Sequence, residues 1–238
     1  MRTKTLLVAA AALVAGAISS QAQVYSANIV GYANVATPTA YSQYLLSIPF
    51  AVGVSNGANE VFGTSLPENS LISVWNVAGY YDFYQTDSGS PTGWSLPDYT
   101  PVPPPALPVG KGFFLQPTGD GVTNTFVGAV AVNVGTSNVV TFPTGYAQYL
   151  VGSPVPYAGS LTNGTSSGGG INLNNLPENS LISIWNVAGY YDFYQTDSGS
   201  PTGWSLPDYT PVPAPSLSVG QGFFIQPTGD NATWTVGL

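Results

Sequence analysis

The chain has 238 residues, of which 3 are Lys or Arg and 11 are Asp or Glu, and its formal net charge is −8. It contains no His and no Cys. These absences exclude disulfide scaffolds, Ser–His triads, thiol nucleophiles and histidine–zinc sites. A chain this acidic also lacks the basic patches that bind nucleic acid or anionic membranes. We therefore expect a non-enzymatic protein with no cofactor and no nucleic-acid partner.

The first 22 residues predict a signal peptide. Arg2 and Lys4 precede an apolar run of 13 residues, 6–18, and small residues lead up to Ala22. The run is shorter than the ~20 residues that a membrane-spanning helix needs. We expect cleavage after Ala22, a secreted or cell-surface protein, and no membrane insertion of the mature chain. Lys111 is then the only basic residue left.

The dominant feature of the mature chain is an internal repeat. Leu66–Asp120 recurs as Leu176–Asp230, 110 residues later, and only six of the 55 positions differ. Two explanations remain open for this near-identity: recent copying of the gene segment, or a function retained in both copies. Upstream, Pro38–Leu45 matches Pro143–Leu150 at a shift of 105, so the second repeat carries five additional residues, most simply within Asn163–Gly170.

Units of this size are domains rather than short solenoid repeats. We expect a first β domain over residues 23–130 and a second over residues 131–238. Each is called a repeat below. The division leaves no obvious linker between them.

Short runs rich in Val, Ile, Tyr, Phe and Trp alternate with clusters of Gly, Pro, Asn, Asp and Ser, which is typical of strands and turns. No stretch combines helical periodicity with freedom from Gly and Pro. Six or seven strands per repeat fit a sandwich or a barrel. The predicted fold class is therefore all-β: two tandem β-sandwich or barrel-like domains after the signal peptide. In the first repeat the predicted strands are Val24–Val35, Gln43–Phe50, Leu71–Asn76, Tyr80–Thr86, Gly93–Leu96, Gly112–Gln116 and Thr125–Val134.

The segment Leu71–Tyr84 predicts a hairpin in which Trp75 lies opposite Tyr80. Alternation along the strands then puts Ile72, Val74, Tyr81 and Phe83 on the core face. The other face carries a carboxylate that is costly to bury, so we expect it to meet water. The ligand-binding residues predicted on this basis are Trp75, Tyr80, Asp82, Tyr84 and Trp94, with Trp185, Tyr190, Asp192, Tyr194 and Trp204 in the second repeat.

Aromatic rings beside hydroxyls and a carboxylate are the ingredients of a sugar-binding platform, because rings cover the apolar face of a pyranose while polar groups bond its hydroxyls. Asp98 and Asp208 could join this platform. The alternative is that the same rings pack under a loop or against the neighbouring domain, with only their polar tips exposed. Both interpretations remain open on the sequence.

Two further chemistries also remain open. Asp87–Ser90 and the neighbourhood of Asp120 offer oxygen atoms to calcium, although the spacing is not that of an EF-hand and turn chemistry explains these residues equally well. Paired carboxylates could hydrolyse a glycoside. The spacing singles out no pair among Glu68, Asp82, Asp87 and Asp98. We expect neither a metal site nor enzymatic activity.

Three motifs in each repeat carry a family resemblance. In the first repeat they are W-N-x-x-G-Y-Y at Trp75–Tyr81, G-W-S at Gly93–Ser95 and V-G-x-G-F-F at Val109–Phe114. They resemble the repeat of secreted hypothetical proteins of Verrucomicrobia and related bacteria, and Val24–Tyr32 is similar to the mature start of such proteins. The resemblance covers most of both repeats. It implies export and a β fold, and it brings no activity and no site residues.

The function expected from the sequence is that of an extracellular structural or surface-associated protein, acidic and non-enzymatic. Its two repeats would make repeated weak contacts with matrix polysaccharide or sister chains. The alternative is a tandem carbohydrate-binding module that uses the exposed aromatic hairpin faces. A third possibility is strand exchange, in which Val24–Val35 completes the sheet of a neighbouring molecule.

Overall fold

The computed structural model describes residues 30–86, 92–131, 137–163, 171–195 and 203–237. The fold is all-β, as predicted: antiparallel strands account for nearly all of its regular structure. The predicted signal peptide, the beginning of the predicted strand Val24–Val35 and the segment Asp87–Ser90 lie outside the described residues.

Two antiparallel sheets form the first repeat. The larger has the order β2-β7-β4-β5-β6 and the smaller the order β1-β8-β3. The strands are β1 (Val30–Thr37), β2 (Tyr44–Ser47), β3 (Phe50–Ala51), β4 (Leu71–Asn76), β5 (Gly79–Gln85), β6 (Trp94–Ser95), β7 (Gly112–Gln116) and β8 (Val122–Val130).

The second repeat has the same five-stranded sheet, in the order β10-β16-β12-β13-β14, packed with the pair β17-β9 and the short pair β11-β15. Every one of these sheets takes all of its strands from one repeat. The strands are β9 (Ser137–Phe142), β10 (Tyr149–Gly152), β11 (Gly159–Ser160), β12 (Leu181–Asn186), β13 (Gly189–Gln195), β14 (Trp204–Ser205), β15 (Ser216–Leu217), β16 (Gly222–Gln226) and β17 (Ala232–Gly237).

Each repeat has its own hydrophobic core between its sheets. In the first repeat, Ile72 and Leu115 of the larger sheet pack with Phe50 and Phe126 of the smaller one, and all four side chains are fully buried. Burying one such side chain stabilises the fold by about 1.5–3 kcal/mol. The apolar alternation that predicted the strands therefore supplies the cores.

Among the described residues one α-helix interrupts the pattern, and the expectation of no helix was wrong here. α1 (Ala58–Phe62) buries Ala58, Val61 and Phe62 against the first core. Its five residues are too few for a periodic pattern to be visible in the sequence. The Glu60 carboxylate fixes its start by accepting hydrogen bonds from the backbone N–H of Val54, Ser55 and Gly57 at 3.0–3.1 Å. In the second repeat a 3₁₀ turn, Leu173–Asn175, precedes β12 instead.

Candidate functional site: the seam between repeats and the grooves beside it

The predicted hairpin is present in both repeats with the predicted register. Trp75 pairs with Tyr80 and Ser73 with Asp82, and the second repeat shows the same pairing of Trp185 with Tyr190. A two-residue loop joins the strands. The core-face prediction is confirmed for Ile72, which is fully buried, and Val74 and Phe83 pack against the same core while remaining partly exposed. It was wrong for Tyr81, which is 54% exposed near the turn of the hairpin.

Only part of the opposite face of the hairpin meets water. At its Trp75 end it packs against the other repeat, in a contact that we call the seam. Phe114 and Phe224 are each only 5% exposed there, although they lie on the outward side of their sheets. The seam consists of Leu45, Trp75, Tyr80, Phe114, Leu150, Trp185, Tyr190 and Phe224.

The seam is reciprocal. The Trp75 ring meets Phe224 edge-on with centroids 5.8 Å apart, and the equivalent Trp185 ring meets Phe114 at 5.6 Å. The two phenylalanines are 6.4 Å apart. Each of these aromatic contacts of one repeat thus has its counterpart in the other, as in the self-complementary interface of a twofold symmetric dimer. Edge-on aromatic pairs contribute about 0.5–1.5 kcal/mol each beyond the area that they bury.

Reciprocal hydrogen bonds reinforce the aromatic contacts. The Trp75 indole donates to the carbonyl of Gln148 at 2.9 Å, and the Trp185 indole donates to the carbonyl of Gln43 at 2.7 Å. The backbone contributes a second pair: the N–H of Ser47 bonds to the carbonyl of Gly220, and the N–H of Gly152 bonds to that of Gly110. The free edges of β2 and β10 are therefore each covered by the opposite repeat at this point.

Two tyrosines meet at the rim of the seam. Tyr80 and Tyr190 interact through their hydroxyls, and each remains about half exposed. Partial burial raises the pKa of Tyr80 above its ordinary value, and the hydrogen bond to Tyr190 adds to that rise. Burial likewise raises the pKa of Tyr190, assisted by the nearby charge of Asp192. Both phenols are therefore held in the protonated form.

These contacts correct the expected platform in two ways. The Trp75 and Trp185 side chains are partly buried, and their indole N–H groups are bonded to the other repeat, so the alternative of packing against a neighbouring domain describes them. Trp94 and Trp204 are each 1% exposed and lie in the two cores, where a ligand cannot reach them. The Trp94 indole donates to the side-chain carbonyl of Asn59, in the first turn of α1, at 2.6 Å. Asp98 and Asp208 are exposed, and each carboxylate accepts a turn N–H, from Thr100 and Thr210, which lowers its pKa.

One signal in the sequence could have revealed the seam. β7 and β16 read G-F-F-[LI]-Q, so apolar rings point to both faces of the sheet. Phe113 faces the core, and its neighbour Phe114 must face the other way. A strand that is apolar on both sides predicts a sheet covered on both sides.

Two equivalent clefts flank the seam. The first, of about 500 Å³, lies beside Trp75 and includes Val77, Lys111 and Val139. The second, of about 260 Å³, lies beside Trp185. It includes Val35, Val187 and Gln221, and their equivalents Val140, Val77 and Lys111 line the first. The clefts differ in size and in lining, because Ser218 and Gln221 stand in the second where Pro108 and Lys111 stand in the first.

The far end of the hairpin face opens into a separate groove of about 550 Å³, away from the seam. This groove contains Tyr84, one of the predicted ligand-binding residues. We call it the tyrosine groove. Its lining combines two tyrosine rings and a leucine with a carboxylate, two amides and a threonine hydroxyl: Tyr41, Glu68, Asn69, Leu71, Tyr84, Gln116 and Thr118.

Tyr41 is a second aromatic member of the tyrosine groove, and the sequence did not indicate it as a ligand-binding residue. It is 70% exposed, and its φ of 58° lies in the left-handed region. That conformation costs a non-glycine residue about 1–2 kcal/mol. Hydrogen bonds hold the backbone there: the N–H of Tyr41 donates to the carbonyl of Pro117, and its carbonyl accepts from the Gln116 side chain, both at 2.7 Å.

The second repeat builds the same arrangement from identical residue types. Tyr146 has a φ of 59° and is 72% exposed, and its carbonyl accepts from the Gln226 side chain at 2.7 Å. Tyr194 pairs with Leu181 as Tyr84 pairs with Leu71. The equivalent lining is Tyr146, Glu178, Asn179, Leu181, Tyr194, Gln226 and Thr228.

The remaining carboxylates of interest occupy separate positions. Asp82 and Asp192 are half-buried between the seam and the tyrosine grooves. Asp120 and Asp230 accept backbone N–H bonds, from Ala40 and Gly145, at 2.8 and 2.7 Å. Across the described ranges no three His, Cys, Asp or Glu side chains come together as a metal site would require.

Comparison with known proteins found no match from which a family or an activity could be inferred. No protein-family model, curated protein or solved structure matches this chain. Within the described part of the chain, no helix has the length and apolar character needed to cross a membrane.

Proposed function

We propose that this is a non-enzymatic extracellular protein, associated with a surface or matrix, whose two repeats make repeated weak contacts with matrix or sister chains. The reciprocal seam is the observation that carries the proposal. It fixes two near-identical units in one relative orientation through paired indole–carbonyl bonds. Two equal binding surfaces are thereby presented in set directions by one chain.

Fixed bivalency suits a ligand that offers the same epitope many times. When one repeat is bound, the second meets its epitope at a high effective concentration, and the overall affinity can exceed that of one site by about 10²–10⁴. The gain needs no strong single contact. It does require that the two units keep a compatible geometry, which is what the seam provides.

The sparse charge agrees with this role. Of 238 residues only 6% are charged, so hydroxyl, amide and aromatic groups must supply most of the surface. Such a surface offers hydrogen-bonding and stacking groups to neutral polymers, which carry no charge for the acidic residues to repel.

The test compares the mature chain with a Trp75→Ala plus Trp185→Ala variant, which removes both indole bonds across the seam. We expect the mature chain to co-sediment with cell envelopes or extracellular matrix, or to self-associate in analytical ultracentrifugation. The variant should keep β structure by circular dichroism and lose at least tenfold in apparent affinity. A mature chain that stays monomeric at high concentration and binds neither fraction would refute the proposal.

The carbohydrate-binding alternative needs a different location from the one that the sequence indicated. Trp75 and Trp185 are used by the seam, and Trp94 and Trp204 by the cores. Of the predicted residues, Tyr84 and Tyr194 lie at the end of the hairpin face that is not covered by the other repeat.

A further inference from the structure

We propose that the tyrosine groove of each repeat is a binding site for a neutral glycan chain, with Tyr41 and Tyr84 in the first repeat and Tyr146 and Tyr194 in the second as its aromatic surfaces. This inference deepens the proposed function, on which it rests, by naming the ligand class of the repeated contact.

The aromatic part of the argument begins with Tyr41. A large apolar ring that is 70% exposed gains nothing from burial in the free protein, and its backbone adopts the left-handed region that side chains disfavour. Strain of this kind persists where the surroundings hold it in place, and it clusters at binding sites. Here Gln116 and Pro117 hold it through two hydrogen bonds. A pyranose stacked on the ring would bury the surface that folding leaves open.

The polar part comes from the groups around the rings. Glu68 and Asn69 are exposed, and Gln116 and Thr118 are half-buried along the same groove. Thr118 is itself fixed, since its hydroxyl donates to the carbonyl of Glu68 at 2.7 Å. Carboxylate, amide and hydroxyl groups in one cleft can both donate to and accept from the vicinal hydroxyls of a sugar.

The charge of the groove selects among glycans. Glu68 is the one ionisable acid among its lining residues, and no Lys or Arg lines it. Uronic-acid or sulfated chains would therefore meet a like charge without a cation to offset it. A neutral hexose or pentose polymer carries no such penalty, and it presents the repeated epitope on which bivalent binding depends.

Comparison of the repeats gives independent support. In the diverged segment around Tyr41, Ala40 has become Gly145 and Ser42 has become Ala147, yet the tyrosine is present in both copies. The neighbouring identities have structural explanations. Tyr44 and Tyr149 accept turn N–H bonds through their hydroxyls. The carbonyls of Gln43 and Gln148 receive the seam indoles. The exposed ring of Tyr41 has no equivalent task within the fold.

The experiment is affinity gel electrophoresis of the mature chain with soluble neutral polysaccharides, namely mixed-linkage β-glucan, galactomannan and xyloglucan, and with anionic alginate and polygalacturonate. The decisive variant is Tyr41→Gly plus Tyr146→Gly. Glycine adopts the left-handed backbone without steric strain, so the melting temperature should change little. Loss of the rings should weaken binding to whichever neutral glycan retards the unsubstituted chain in the gel. We expect a loss of about tenfold or more, because the free energy of one aromatic contact per site corresponds to about tenfold in affinity.

The chain supplies a matched control. Tyr99 and Tyr209 are also left-handed, with φ of 64°, and they are 81% and 78% exposed, but they do not line the groove. Tyr99→Gly plus Tyr209→Gly should therefore leave glycan binding unchanged. A single Tyr41→Gly change should cost most of the avidity while leaving one working site.

The outcomes separate this inference from the proposed function. Equal loss in the control variant, undiminished binding in the Tyr41 and Tyr146 variant, or preference for the anionic chains would overturn the glycan site. Absence of binding to all five polysaccharides would also overturn it. In that case, matrix binding or self-association of the mature chain would leave the proposed function standing, and absence of both would refute the two together.

Discussion

Ser47 and Gly152 occupy equivalent positions in the two repeats and face each other across the seam. A Cβ atom built on Gly152 would lie 2.0 Å from the Ser47 side chain, which is well inside any tolerated contact. The serine uses the space and directs its hydroxyl to the carbonyl of Gln221 at 3.2 Å. Only one of these two positions can therefore carry a side chain.

The first prediction follows from that contact. Gly152→Ala should destabilise the protein by about 1–3 kcal/mol, because it overpacks a closed interface. Ser47→Gly in the same chain should restore most of the loss, since it vacates the space. The free energies of unfolding of the wild type, both single variants and the double variant, from urea denaturation, form the double-mutant cycle that measures this coupling. Additive losses would show that the two positions do not compete for space.

The second prediction concerns the seam indoles. Trp75→Phe keeps a ring against Phe224 but removes the hydrogen bond to the Gln148 carbonyl. The expected loss is about 0.5–1.5 kcal/mol, and Trp185→Phe should lose a similar amount. Both variants should keep the shape of the molecule in small-angle X-ray scattering. Trp75→Ala plus Trp185→Ala should instead increase the radius of gyration, and an unchanged radius would argue against the seam as the contact that holds the repeats.

The third prediction is a loss of stability in alkali. The pKa of Tyr80 lies above its ordinary value of 10.0 in the folded protein, mainly through burial, so above pH 10 the unfolded chain releases a proton that the folded chain retains. The contribution of Tyr80 to the free energy of unfolding should therefore be constant below pH 10 and fall as the pH rises further.

Phenylalanine substitutions test the origin of that slope. Tyr80→Phe plus Tyr190→Phe should flatten the alkaline decline, whereas Tyr99→Phe plus Tyr209→Phe, on exposed turns, should leave it intact. Urea denaturation at a series of pH values makes the measurement. A slope that survives in the first variant would assign the alkaline loss to other groups.

The fourth prediction concerns acid. Hydrogen bonds from the backbone of Gly57, Ser55 and Val54 lower the pKa of Glu60 below its ordinary value of 4.5. Between the pKa of Glu60 in the folded protein and its ordinary value of 4.5, the unfolded chain binds a proton that the folded chain does not. The stability that Glu60 contributes is therefore present above pH 4.5 and is lost as the pH falls through the pKa of the folded state.

Amide resonances offer a local readout. The ¹⁵N–¹H signals of Val54, Ser55 and Gly57 should shift together in acid, with a midpoint below 4.5, and Glu60→Gln should abolish the transition. The Thr100 amide, which bonds to Asp98, should titrate unchanged in that variant and serves as the control. A Gly57 amide that still titrates after Glu60→Gln would mean that another group caps α1.

Much of the fold could be read from the sequence because it depends on local alternation. β4 and β7 have the predicted bounds, and the register of Trp75 opposite Tyr80 is as expected. Period-two geometry sorted Ile72 to the core, since that geometry needs only the order of residues along a strand.

The functional surface was less accessible to the same reasoning. Whether Trp75 meets water depends on what packs against it, and its partners Gln148 and Phe224 lie in the other repeat, 73 and 149 residues away. Trp94 was misplaced for a related reason: it lies on a two-residue strand, and α1, which carries its partner Asn59, was too short to predict. Tyr41 escaped notice because tyrosine, unlike Gly or Asn, is not a residue type that indicates a left-handed backbone.

The clefts beside the seam show what joining the two units in one chain makes possible. In a pair of identical subunits, any change on one side of the axis appears on the other as well, and a residue on the axis has to tolerate its own twin. Covalent linkage removes that constraint, because each half is encoded separately. Lys111 in one cleft and Gln221 in the other are a first departure from equivalence. The residues that line one cleft can therefore change while those that line the other stay the same.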